Sequence, residues 1–235
     1  MNAVDAPKRA LIVFIKSPMA GNVKTRLIPH LSAEEAANLY RCFVLDVLKS
    51  LLPEGPDGRL IVAYQPSNKM PDLSWTGRHP PEFFRQEGKS LGERLAHAFG
   101  TAFGRGCRQV VLIGSDSPTL PPAYIEQAFA ALQEADVVVG PATDGGYYLI
   151  GLSRPCLKLF DDVAWSTDQV FERTVQIAQS QGFRLRVLPT HYDVDTVDDL
   201  GVLSRELAAN DAVAPQTRRY LTQLIKSKPP LVAVS

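Results

Sequence analysis

The run Gln109–Ile113 and the turn after it constrain this chain more than any other stretch. Val110 to Ile113 is apolar and β-rich, too short for a helix, and reads as a buried parallel strand. It ends at Gly114-Ser-Asp116-Ser-Pro118. Pro118 disfavours helical geometry at Ser117, so the backbone stays extended beyond the carboxylate. A carboxylate just past the C-terminal end of a buried parallel strand stands at the crevice where open α/β sheets bind ligands. The alternative reading of Asp116, as the cap of a helix starting near Pro121, is weakened by a spacing five residues too long and by Thr119 lying closer.

Around this strand, apolar β-rich runs alternate with helical patterns. Arg9–Ile15, Arg59–Tyr64, Glu82–Gln86, Asp136–Gly140, Tyr147–Leu152 and Phe183–Leu188 read as strands. Helices are expected from Ser32 (a capping box with Glu35), from Ser90 (a second box with Glu93), over Pro121–Glu134, over Asp168–Gln181, from Thr196 and over Pro215–Lys226. A short helix is also expected near Asp72–Trp75. The pattern predicts an α/β fold: a doubly wound, mostly parallel sheet with helices on both faces and one late antiparallel strand, Tyr147–Leu152. At 235 residues without repeats or linkers, residues 1–235 are expected to form a single domain.

Composition removes several function classes. Formal net charge is zero, which argues against a general nucleic-acid surface. Cys42, Cys107 and Cys156 have no metal or redox spacing and read as free buried thiols. No run is long enough to span a bilayer, and the first eight residues lack a signal-peptide core, so a cytoplasmic protein is expected. His30, His79, His97 and His191 are too dispersed to form a zinc set, and no G-x-S-x-G nucleophile is present.

Three further places carry chemistry. After the first strand, Lys16, Gly21, Lys24 and Arg26 lie in a loop that doubly wound folds aim at nucleotide phosphates. Arg26 offers a planar fork, Lys24 a compact charge, and Gly21 a close backbone approach. Asp195, in Asp193-x-Asp195, can pair with Asp116 to hold Mg²⁺ or Mn²⁺ through hard oxygens; alternatively it helps cap the helix at Thr196. The two acids should face one cleft and repel each other, with Lys24 or Arg26 on the opposite wall. Finally, Asp144 could accept sugar hydroxyls or act as a base, and Gly145 and Gly146 permit a tight turn. Tyr147, Trp165 and Ser166 could contact a sugar or acceptor, although an Asp-Gly hairpin turn and a core tryptophan explain the same residues.

Taken in order, Phe14–Leu27, L-G-E-R-L (Leu91–Leu95), G-S-D-S-P-T-L (Gly114–Leu120), G-P-A-T-D-G-G-Y-Y-L-I-G (Gly140–Gly151), W-S-T (Trp165–Thr167) and D-V-D-T-x-x-D-L (Asp193–Leu200) resemble a bacterial family of the nucleotide-diphospho-sugar transferase superfamily. Its members are often labelled A-type glycosyltransferases, some of them arsenosugar-biosynthesis glycosyltransferases. The superfamily includes the molybdenum-cofactor and phospholactate guanylyltransferases. Asp116-x-Pro118-x-Leu120 looks like their metal motif, Asp193-x-Asp195-Thr196-x-x-Asp199 like their late acidic motif, and Lys24-x-Arg26-Leu27 like the K-x-R-L of the phospholactate enzymes. The G-x-G-x-R loop of many nucleotidyltransferases is absent, which bears on triphosphate binding. At Asp116 a D-x-D is missing too, because Ser117-Pro118 follows it, which bears on the glycosyltransferase label.

The resemblance implies a metal-dependent transfer of sugar from a nucleotide-diphosphate sugar to a small acceptor, with Asp116 and Asp144 catalytic. The alternatives are nucleotidyl transfer from a nucleoside triphosphate to a phosphorylated acceptor, and a non-catalytic nucleotide-binding protein. The terminal helix and tail could serve a homodimer. If Lys24 and Arg26 grip phosphate, Lys24→Ala and Arg26→Ala should each weaken a nucleoside diphosphate, by ~1.5–3 kcal/mol, more than the bare nucleoside. Titration calorimetry with both ligands checks this, and equal losses would count against the loop.

Overall fold

The computed structural model describes residues 9–51, 58–65 and 82–228. The expected short helix near Asp72 lies outside them. The described strands are β1 (Arg9–Ile15), β2 (Gly58–Tyr64), β3 (Glu82–Arg85), β4 (Gln109–Ile113), β5 (Val137–Pro141), β6 (Tyr147–Leu152) and β7 (Leu185–Val187). They form one sheet in the order β3-β2-β1-β4-β6-β5-β7. β6 runs antiparallel to both β4 and β5; every other pairing is parallel. The late antiparallel strand expected from the short turn before Tyr147 is therefore present, inserted between β4 and β5.

The helices are α1 (Ala33–Ser50), α2 (Leu91–Gly104), α3 (Pro122–Ala131), α4 (Val170–Ser180), α5 (Val197–Ala209) and α6 (Pro215–Ser227). Strand residues alternate between two cores, as the period-two pleat requires. Leu11, Val13 and Ile15 join α1, α3, α5 and α6 on one face. Ala10 and Ile12 join α2 and α4 on the other. Burial on both faces is why these strands read as continuous apolar runs. Ser32 and Ser90 cap α1 and α2 as expected; the box is complete at α1, whereas at α2 the Glu93 carboxylate accepts from the Lys89 N–H instead of Ser90, so only the serine half forms.

Helix α3 ends before Glu134 because its last turn loosens ahead of β5, and α4 starts only at Val170 because Asp168 and Gln169 lie in the preceding turn. β7 is also shorter than Phe183–Leu188. It lies at the sheet edge, and its Val187 is exposed rather than facing a core, so the alternation there does not mark one buried face. Cys107 and Cys156 are buried free thiols; Cys42 is only partly buried.

α6 begins at a left-handed Ala214 with no side-chain cap of its own. Asp46 of α1 supplies one from outside: its carboxylate accepts from the backbone N–H of Gln216 (3.1 Å) and Thr217 (2.7 Å). Negative charge at a helix N-terminus is favourable, and Asp46 is almost wholly buried, so both hydrogen bonds are shielded from water. Asp46→Ala should cost ~2–3 kcal/mol, and Asp46→Asn less, because one acceptor oxygen remains. Urea denaturation of the three proteins measures this; an unchanged midpoint for Asp46→Ala would show that α6 docks without the cap.

Candidate active site

Strand order reverses direction between β1 and β4: the chain leaves β1 toward β2, and later leaves β4 toward β6 and β5. Ligands of open α/β sheets bind at such a switch point, beyond the carboxyl ends of the strands. Lys16 follows β1, Asp116 follows β4, Asp144 follows β5 and Asp193 follows β7, all at that edge.

The segment after β4 is not the extended run expected from Pro118: it bends at Ser115 and Asp116 and then turns over Ser117–Leu120, where the Leu120 N–H donates to the Ser117 carbonyl (3.2 Å). Its three hydroxyls turn inward and are buried. Ser115 bonds the Tyr40 hydroxyl (2.7 Å), Ser117 donates to Asp193, and Thr119 donates to Glu206 (3.0 Å). Asp116, between the first two, is left facing the cleft. The segment after β7 lies alongside: Val194 N–H donates to the Asp116 carbonyl (2.9 Å). Val194 is fully buried, so the alternating Asp193 and Asp195 both turn to the open side.

The two capping explanations fall away. α3 has no side-chain cap. At α5, Thr196 and Asp199 form a complete capping box, and Asp199 also accepts from the Asp195 N–H. The carboxylates of Asp116 and Asp195 are thereby released for the cleft.

Lys24 joins them. Its ammonium pairs with Asp116 and, at 3.0 Å, with Asp195. The expectation of a cation on the opposite wall is corrected: Lys24 stands between the acids, so their repulsion is already offset. The chain reaches this position through a left-handed Lys24 (φ 48°) that opens a 3₁₀ turn, Thr25–Leu27. The Lys24 side chain is 2% exposed and lies 5.5 Å from the Phe43 ring centre. Burial alone would lower its pKa; the two carboxylates outweigh that and raise it, so the ammonium is permanent. For Asp195, burial pushes the pKa up, but Lys24, Arg26 and Lys16 together hold it below its ordinary value. Arg26 is largely exposed, 3.9 Å from Asp195.

A cleft of about 540 Å³ collects most of the expected residues: Lys16, Lys24, Arg26, Asp144, Gly146, Tyr147, Trp165, Ser166 and Asp195. Asp116 lines a second, smaller cleft that shares Lys16, Tyr147 and Asp193 with the first. Gly21 does not line either; Asn22 lines the larger. Gly21 adopts a positive φ (81°) in open space, so its role is the turn and not a close approach to ligand. Gly145 (φ 86°) is needed twice over: a side chain there would also strike the Asp168 carbonyl. Asp144 and Gly145 do form the β5–β6 turn, and one Asp144 oxygen already accepts from Gly146 N–H (3.0 Å). The Tyr147 ring meets Trp165 edge-on at 6.3 Å, and burial pushes its hydroxyl pKa well up. Gly92, of the L-G-E-R run, lets α2 approach Trp165; any side chain there would strike the indole.

Sequence reasoning passed over Asp193 as a site residue. The signal was present, because an extended D-x-D places both acids on one face. His191 lines neither cleft and packs among Tyr124, Tyr148 and Tyr192. Among the described residues no group of three or more His, Cys, Asp or Glu side chains is arranged to hold a metal ion.

Fold and site define a transferase of the nucleotide-diphospho-sugar transferase superfamily. A crystal structure from Desulfovibrio desulfuricans, described as a nucleotide-diphospho-sugar transferase, is 36% identical, covers 94% of this chain and 98% of its own, and superposes with a TM-score of 0.85. A family model described as "uncharacterized protein conserved in bacteria (DUF2064)" matches residues 50–167. The chain belongs to that family. A 2-phospho-L-lactate guanylyltransferase of Methanocaldococcus jannaschii is 24% identical over 216 residues, 91% of this chain and 88% of its own. A Mycobacterium tuberculosis protein, Rv0371c, crystallised with manganese, shares the fold at 16% identity and TM-score 0.50, over 87% of this chain and all of its own (100%). Sugar transfer, placed first from sequence, is supported only at the level of the superfamily, whereas the guanylyltransferase relative favours the nucleotidyl alternative. No described helix is long and apolar enough to cross a membrane.

Asp193 makes the site sensitive to pH. Burial, then the neighbouring charge of Asp116, raises its pKa from 3.8 to about 7; Ser117 and Lys24 only partly oppose this. Between about pH 4 and about pH 7 the folded chain keeps a proton that the unfolded chain has released, so this group's contribution to stability falls as pH rises and is flat above 7. Asp193→Asn cannot ionise yet still accepts from Ser117. It should gain on the order of 2 kcal/mol at pH 8 and little at pH 4. Denaturation at both pH values checks this, and a parallel shift would refute the buried titration.

Proposed function

We propose that the chain transfers a nucleotidyl group from a nucleoside triphosphate to a phosphorylated small acceptor, releasing pyrophosphate. The observation that carries the reading is the charge layout at the switch point: fixed cations Lys16, Lys24 and Arg26 gathered beside the acids of two strand ends, in a chain related to a guanylyltransferase. An acceptor phosphate oxygen attacks the α-phosphorus; the bond from that phosphorus to the oxygen bridging to the β-phosphate breaks, and its electron pair leaves on pyrophosphate. The acceptor oxygen is already an anion at neutral pH, so no proton must be removed. The protein's task is to align two anions and to neutralise the charge gathering on the leaving group.

In this reading Lys24 and Arg26 face the β- and γ-phosphates, and Lys16 lies between triphosphate and acceptor. Asp144, Gly145, Gly146, Tyr147, Trp165 and Ser166 form the acceptor end. Asp116, Asp195 and the added Asp193 fit a Mg²⁺ or Mn²⁺ ion. Such ions commonly take one or two carboxylates and complete their shell with substrate phosphate and water, which suits a place where protein ligands alone are too few. The manganese complex of a protein with this fold supports the class of ion. When bound, the ion would supply positive charge to the phosphates. Transfer from a nucleotide sugar is the second reading, favoured by the Tyr147–Trp165 aromatic wall at the acceptor end.

The test is a coupled pyrophosphate assay with each nucleoside triphosphate, Mg²⁺ or Mn²⁺, and a panel of phosphorylated hydroxy acids that includes 2-phospho-L-lactate. Pyrophosphate should appear in equal amount to a nucleotidylated product, and Asp116→Asn should lower the rate at least roughly 100-fold. Release of a nucleoside diphosphate from nucleotide sugars, with no pyrophosphate from any triphosphate, would overturn the assignment in favour of sugar transfer.

A further inference from the structure

An ammonium is a donor with no lone pair, and the surroundings of Lys24 leave little of it free. It touches Asp116 and lies 3.0 Å from one oxygen of Asp195. Two rings close a further side, with the Phe43 centre at 5.5 Å and the Tyr40 centre at 6.0 Å. The side chain is 2% exposed, so in this arrangement it has almost no surface to offer a phosphate. Lys16 and Arg26, by contrast, are exposed.

Lys24 also stands at the point between the two acids that an ion shared by them would need. A small divalent ion such as Mg²⁺ takes its oxygen ligands at about 2.0–2.1 Å. It cannot share the same oxygens with an ammonium that already contacts both, because the two cations would overlap and their like charges would repel in largely dry surroundings. The other oxygen of Asp195 is not free either, since Arg26 lies 3.9 Å from it.

Resting on the nucleotidyl-transfer reading, which places the ion at Asp116 and Asp195, we propose that Lys24 is a tethered stand-in for that ion and makes its uptake wait for the nucleotide. Without nucleotide the ammonium neutralises the acids and holds the ion out. An incoming triphosphate meets the exposed Lys16 and Arg26 first. Its β- and γ-oxygens then offer Lys24 a new partner, and the flexible four-carbon stem lets the ammonium leave the acids for them. The oxygens of Asp116 and Asp195 are freed in the same exchange, and the ion enters between acids and phosphates. A monovalent cation gives way to a divalent one as a multiply charged anion arrives, so the acids are compensated before and after. The exchange belongs to binding and is complete before any bond breaks.

The experiment is equilibrium dialysis of Mn²⁺ against the full chain, Lys24→Met, and Lys24→Met combined with Asp195→Asn, first without nucleotide and then with GTP, ATP, CTP or UTP. Without nucleotide, Lys24→Met should hold Mn²⁺ at least about tenfold more tightly than the unaltered protein, because the repulsion is gone and the acids are unpaired. Adding Asp195→Asn should cancel that gain. A triphosphate should raise Mn²⁺ affinity strongly in the unaltered protein and by a smaller factor in Lys24→Met. Melting gives a second readout: Mn²⁺ alone should raise the Tm of Lys24→Met and leave that of the unaltered protein unmoved. An unaltered protein that takes up Mn²⁺ equally well with and without triphosphate, a Lys24→Met without gain, or a gain that survives Asp195→Asn would overturn the exchange; nucleotidyl transfer, read from pyrophosphate release, would stand. If none of the proteins holds Mn²⁺ under any condition, the ion's placement falls together with the exchange. If Lys24→Met does not fold even with Mn²⁺, the unaltered protein decides: uptake that needs a triphosphate supports the proposal, and uptake that needs none rejects it.

Discussion

The buried ammonium of Lys24 is the contact on which the arrangement at the sheet edge depends. Taking a cation out of water is expensive, and only well-placed opposite charge repays it. Two carboxylates do so here, and each is delivered by a different strand end. Neither acid could be held so near the other without the lysine, and the lysine could not be buried without both. The loop after β1 is bound into the same knot, and it accepts a left-handed backbone at Lys24 to reach it. A strained, non-glycine conformation persists only where its surroundings over-determine it, and the paired acids and the Phe43 ring supply that determination.

Beneath the ion pairs lies a layer of hydroxyl hydrogen bonds that fixes where the acids point. Tyr40 ties β1 to β4 by accepting from Lys16 N–H (2.9 Å) and sharing a hydrogen bond with Ser115. Glu206 of α5 takes both Thr119 and the hydroxyl of Tyr192, one from each acid-bearing segment. These contacts are buried or nearly so, where hydrogen bonds are strong and misplacement is costly. The cleft therefore inherits its geometry from helices α1 and α5 on one face of the sheet. Its aromatic end, through Gly92 and Trp165, inherits geometry from α2 on the other.

Much of this was legible in the sequence, for local reasons. Apolar runs gave the buried strands, and Ser32 and Ser90 announced their helices through capping boxes. The short turn before Tyr147 foretold an antiparallel β6, whereas the extended run expected from Pro118 is a bend followed by a turn. What could not be read was non-local. Nothing in Lys24 itself says that it will sit between Asp116 and Asp195, 171 residues away for the latter. Asp46 capping α6 crosses a similar distance, and no local rule links α1 to Gln216. Asp193 was passed over for a different reason: only Asp195 of the pair was weighed, as ligand or as cap, and the capping box of Thr196 with Asp199 is what separates those two readings.

The charge layout also bears on which chemistry the site can support. Attack by a hydroxyl acceptor needs a base to take its proton, and the candidates at the acceptor end are poorly suited. Asp144 spends one oxygen on the Gly146 amide, the Tyr147 phenol is held protonated, and His191 is packed away from both clefts. Attack by a phosphate oxygen needs no such group, but it brings a second multiply charged anion to the triphosphate. Repulsion between anions then becomes the main obstacle, and the remedy is fixed positive charge that need not reorganise during the reaction. A lysine anchored on two sides by carboxylates, with an exposed arginine at the rim and a second lysine at the end of β1, is such a remedy. The acids that anchor Lys24 are also the residues a divalent cation would use.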